Sequence, residues 1–135
     1  VCTTGRQTLI GQCPLAQSVG IASEGACVFG ERIPDGSTAG VLLPIVVAGG
    51  SSSTQLALDL RLRHPDRGQL KVRVRAPNGA QLSLHDRSGA GVPDFAWCGT
   101  VRVPWTGVNG RWIVSVGDGV AGGEGTVEYV NLTAR

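Results

Sequence analysis

The stretch TQLALDLRLR, Thr54 to Arg63, places Leu56, Leu58, Leu60 and Leu62 at every second position. A strict period of two puts all four side chains on one face of an extended strand; a helix would scatter them around its axis. The pattern recurs along the chain. LKVRVRA points Leu70, Val72 and Val74 one way, QLSLHD aligns Leu82 with Leu84, and RWIVSV aligns Trp112, Val114 and Val116. TVEYVNLT also alternates but slips between Tyr129 and Val130, as a β-bulge makes it do.

Turn chemistry separates these runs. In HPDRG, Pro65 and Asp66 start a bend that Gly68 relieves, and Pro77–Gly79 makes a second turn. Asn109–Gly110 is a hairpin signal, since both residues tolerate positive φ. VLLPIVVAG is a short apolar run whose Pro44 demotes it to an edge strand or splits it. GGSSST reads as a loop, and a longer loop, RSGAGVPDFAWCG, precedes a strand TVRVPW. Short strands at such spacing, with no helical period, predict an antiparallel sandwich or barrel. Composition agrees. The 135 residues suit one domain and include 21 Gly, no Met and a single Lys, Lys71.

VGDGVAGGEG near the end of the chain contains Gly117, Gly119 and Gly122 in the order G-x-G-x-x-G. A dinucleotide cradle must open a helix inside a βαβ unit. Only 13 residues follow Gly122, and they are strand-type, so the glycines are read as those of a hairpin loop. A net charge of +2 does not point to nucleic acid. No apolar run reaches the roughly 20 residues that span a bilayer. The chain starts at Val1 without a basic-then-apolar leader, as expected of a mature or excised piece.

Cys2, Cys13, Cys27 and Cys98 form no C-x-x-C pair. An even count in a turn-rich chain favours two disulfides and an exported protein. Four cysteines allow three pairings; the expectation is Cys2–Cys13 and Cys27–Cys98. Residues 1–30, irregular and holding three cysteines, are read as a disulfide-held arm or linker, and residues 31–135 as the β domain.

An enzymatic reading finds little. His64 and His85 are the only histidines, and no G-x-S-x-G elbow occurs. His85 and Asp86 are strand neighbours, so they face opposite ways. Two surfaces are candidates instead. Arg61 and Arg63 lie opposite the leucine face, and Lys71, Arg73 and Arg75 opposite the valine face. If the two strands pair about HPDRG, Arg61 faces Arg73, and the five cations against Asp59 offer a landing surface for an anionic partner. Asp35, Asp118 and Glu124 sit in Gly-rich loops that suit Ca²⁺, although no D-x-D-x-D-G loop is present. No other cofactor is expected. Of the tryptophans, Trp112 falls with the inward set, and Trp97 is the candidate for an exposed, sugar-stacking ring.

Several stretches together resemble the P domain (P/Homo B domain) of proprotein convertases and of bacterial secreted subtilisin-like and metallo-proteases. IPDG opens the match; LDLRLRHPDRGQLKVRVRAPNGAQLSLHD and NGRWIVSVGDGVAGGEGTVEYVNLT continue it. The matching residues are Ile33, Pro34, Asp35, His64, Gly68, Leu70, Pro77, Gly79, Asn109, Gly110, Trp112, Val116, Asp118, Gly122, Gly125, Thr126, Val127 and Leu132. Gln69 stands where the family usually has Asp, Asp66 replaces an aromatic, and Val130 stands for the closing Trp. The resemblance implies a jelly-roll β-sandwich of about eight strands without catalysis of its own. It implies a secreted, monomeric accessory domain whose partner is the protease catalytic domain of the same precursor. The alternative is an independent secreted module on the same sandwich, binding protein or carbohydrate.

Overall fold

The leucine run forms a strand across its whole length, and its neighbours follow. The computed structural model describes residues 25–28 and 31–134. They form nine strands: β1 (Gly25–Val28), β2 (Glu31–Ile33), β3 (Ser37–Val47), β4 (Gln55–Arg63), β5 (Leu70–Arg75), β6 (Gln81–Asp86), β7 (Phe95–Arg102), β8 (Gly110–Asp118) and β9 (Gly125–Ala134). A 3-10 turn, Arg67–Gln69, is the one helical piece among the described residues.

Two antiparallel sheets stack. The first runs β1-β9-β4-β7, with β2 also on β9; the second runs β3-β8-β5-β6. Period-two patterning makes one face of each sheet apolar, and the two apolar faces close on each other. The first sheet contributes Leu56, Leu58, Leu60, Leu62, Val101, Val130 and Leu132; the second contributes Leu43, Ile45, Val72, Val74, Trp112, Val114 and Val116, all buried. Each fully buried Leu or Val is worth about 1.5–3 kcal/mol. The expected all-β sandwich is therefore present.

The connections differ from the local reading. Among the described strands, β5 and β6 are the one consecutive pair that also hydrogen-bond, across the expected Pro77–Gly79 turn. Every other described connection from β3 onward carries the chain from one sheet to the other, in jelly-roll fashion. Asn109–Gly110 is thus no hairpin. Asn109 Oδ1 accepts from Gly50 N at 2.7 Å and ties the start of β8 to the β3–β4 loop. The Gly-rich segment after Asp118 is likewise an arch between sheets. β7 begins at Phe95, five residues before the expected strand, because Phe95, Trp97 and Val101 stand opposite the inward Leu62, Leu60 and Leu56.

Two local expectations hold. Pro44 lies in β3, the edge of the second sheet, where a missing N–H is tolerated. In the β4–β9 ladder Arg61 pairs with Tyr129 and Leu62 with Val127, leaving Glu128 as the extra residue of a bulge. Gly25–Val28, placed in the arm by the sequence, pairs with β9. Cys2, Cys13 and the rest of the arm lie outside the described residues.

Cys27 lies on β1 and Cys98 on β7, at the two ends of the first sheet's strand order. Their side chains, and with them the expected Cys27–Cys98 pairing, lie outside the described residues.

Candidate functional site

Where β4 leaves the first sheet and β8 ends, the chain buries a polar pair. His64 Nε2 lies 2.8 Å from Asp118 Oδ2, and both side chains are fully buried. Asp66 N donates to His64 Nδ1 at 3.0 Å, so that nitrogen carries no proton. The proton is on Nε2, which donates to Asp118. Asp118 Oδ1 accepts from Val120 N at 3.1 Å. Asp94, at φ +61°, accepts from His64 N and donates its own N–H to His64 O. Asp66 Oδ1 accepts from Gly91 N at 2.9 Å and Gly68 N at 2.8 Å. Those two N–H donors, Gly91 first, hold the Asp66 carboxyl below its ordinary pKa.

Both imidazole nitrogens are committed, and the ring does not reach solvent. A general base needs hydrogen-bond reach to a substrate proton, which this ring lacks. The pair works as a lock. It joins the β4–β5 turn and the β8–β9 arch, with Asp94 adding the segment that enters β7. His85 is also occupied: its Nε2 lies 2.7 Å from Arg67 O, and its ring centroid stands 4.4 Å from that of Phe95.

The arch explains its glycines. Gly122 N donates to both Asp35 oxygens at 3.1 Å, and Gly123 N to Asp35 Oδ1 at 3.3 Å. The would-be phosphate cradle therefore holds a carboxylate of its own chain. A Cβ on Gly117 would stand 2.5 Å from Thr38 O, and one on Gly125 2.7 Å from His64 Cδ2. These glycines serve close packing of strand on strand and strand on imidazole.

The three acids singled out for calcium thus go three ways: Asp35 to the arch N–H groups, Asp118 to His64, and Glu124 to Arg32. Among the described residues no group of three or more His, Cys, Asp and Glu side chains converges.

The basic stripe is split. The 3-10 turn after His64 sends the chain to the other sheet, so β4 and β5 do not pair. Arg61 faces Tyr129 and Ala96, while Arg73 faces Ser115 and Ser83. On the first sheet Arg63 and Arg61 approach Glu128 at 3.1 and 3.8 Å. Asp59, read as a counter-charge, is buried and accepts from the Tyr129 hydroxyl at 2.9 Å. On the second sheet Lys71 approaches Asp86 at 3.7 Å. Arg73 and Arg75 instead join Arg111, a residue passed over in the sequence although it alternates outward beside inward Trp112. Trp112 is core, its Nε1 donating to Val108 O, and Trp97 is half-buried against the core rather than exposed.

Residues 53–134 match the proprotein convertase P-domain family. The chain belongs to that family. The P domain is 32% identical over 104 residues to leupeptin-inactivating enzyme 1 of Streptomyces exfoliatus, covering 76% of this chain and 24% of that protein. It is 33% identical over 103 residues to the transglutaminase-activating metalloprotease of Streptomyces mobaraensis, covering 75% of this chain and 13% of the relative. It therefore spans a quarter or less of the curated relatives it matches. The serine protease of Aeromonas sobria shares the fold, with a TM-score of 0.57 at 11% identity over 82% of this P domain and 27% of that chain. Both residues of the buried pair, His64 and Asp118, fall within the matched segment of the P domain. No helix among its described residues is long and apolar enough to cross a membrane.

Proposed function

We propose that this chain is a non-catalytic accessory domain of an exported protease, acting by packing against the catalytic unit of the same precursor. The observation that carries this reading is its place among relatives: it aligns with 13% of a protein named as a metalloprotease, within a P-domain match. The geometry supports it. The chain's most concentrated polar chemistry, around His64 and Asp118, is sealed and spent on fixing loops. In this reading the cysteines are oxidised, no metal is required and the domain acts without self-association.

The test compares the intact parent with a parent lacking residues 31–135. The expected result is a lower melting temperature and a shorter half-life of proteolytic activity at elevated temperature on deletion. A parent whose catalytic unit is equally stable without the domain contradicts the proposal.

A further inference from the structure

The outer face of the second sheet is exposed, apolar along one side and cationic along the other. Edge strand β3 presents Leu42, Pro44 and Val46 outward, with Leu42 62% and Val46 53% exposed. The ladders set them in rows. Leu42 stands beside Ser115, then Arg73; Pro44 beside Ile113, then Arg75; Val46 beside Arg111. A shallow depression of about 130 Å³ lies among Leu42, Ile113, Arg73 and Arg75.

Charge distinguishes this face. Arg32, Arg61, Arg63 and Lys71 each have a carboxylate partner. Arg67, Arg73, Arg75, Arg87, Arg102 and Arg111 form no ion pair with a carboxylate among the described residues, and of these six Arg73, Arg75 and Arg111 share one sheet face. Three guanidinium groups beside two exposed aliphatic side chains suit an apolar surface bordered by carboxylates.

Two other occupants fit poorly. A second copy on a two-fold axis would bring six guanidinium groups of this face into one interface with no carboxylate from the patch to pair them. Residues 1–24 carry a single carboxylate, Glu24, too few to pair the three arginines of this face. We infer that the outer face of the second sheet, centred on Leu42, Val46, Ile113, Arg73, Arg75 and Arg111, is the docking surface for an acidic-rimmed apolar patch on the catalytic unit. This rests on the accessory-domain reading and adds which face makes the contact.

The test uses three forms of the full-length parent: wild type, the form lacking residues 31–135, and R73E/R75E/R111E. Half-life of proteolytic activity at elevated temperature is the readout. Fluorescence of the buried Trp112 reports whether the domain is folded. The proposal expects the triple variant to lose half-life several-fold, approaching the deletion, and high salt to shorten the wild-type half-life toward the variant. Should the charge reversals unfold the domain, L42S/V46S, which alters exposed side chains only, is read in the same way. A folded triple variant with wild-type half-life overturns the docking face, while a deletion effect in the same experiment leaves the accessory role standing. A deletion without effect removes both. A concentration-dependent dimer of the parent, abolished by the triple variant with the half-life unchanged, makes a second copy the occupant and overturns the proposal.

Discussion

Asp118 illustrates how much one side chain can organise. It takes the His64 Nε2–H with one oxygen and the Val120 N–H with the other. Asp118→Ala strands the buried imidazole donor, at a cost of about 2–3 kcal/mol in urea unfolding. Asp118→Asn keeps an acceptor for that donor and costs less, about 1 kcal/mol. Asp66 makes a pH-dependent contribution. Its carboxyl is held below its ordinary pKa by the Gly91 and Gly68 N–H groups. The stabilisation is complete above the unfolded-state pKa and is lost as pH falls through the lower, folded value. Asp66→Asn is therefore expected to be less stable than wild type at neutral pH, and the gap to close under acid. Denaturant titrations across that range check it; a gap independent of pH contradicts the assignment.

Between strands, glycine positions decide whether ladders close. Gly40 has φ +67°, and a Cβ there would lie 1.9 Å from Val116 O. It occupies the irregularity in β3 between Ser37 and Val41 that lets this strand follow β8. Gly40→Ala forces β3 off its neighbour, and a loss of about 3 kcal/mol is expected, read as a lowered urea midpoint. Nothing in the sequence marks Gly40 as different from Gly49 or Gly50, because the reason lies in a carbonyl seventy-odd residues away. The same limit runs through the fold. Strand identity was legible from Leu56 to Leu62 and from Trp112 to Val116, because period two is local. Even the bulge near Tyr129 left its trace. Which strands pair was not legible, since Arg61 and Arg73 flank a turn that reads equally as a hairpin or as a crossing between sheets. The Asn109–Gly110 dipeptide misled for that reason. The outward arginines were all visible in the sequence; that three of them share one face with Leu42 and Val46 depends on β3 and β8 coming beside β5.

As a whole the molecule divides its polar residues between two tasks. At the loop end, His64, Asp66, Asp94, Asp118 and Asp35 hold turns and arches in place. Across the second sheet, Arg73, Arg75 and Arg111 face outward beside exposed aliphatic side chains. The proposed accessory role requires contact with a neighbour, and such a contact would leave a footprint. Hydroxyl-radical labelling of the intact parent reads it directly, because four large aliphatic side chains are exposed among the described residues: Leu42 62%, Val46 53%, Leu82 42% and Val92 43%. Docking through the second sheet's outer face predicts that Leu42 and Val46 are protected while Leu82 and Val92 label freely. Labelling of all four in proportion to their exposure in the isolated fold would contradict it.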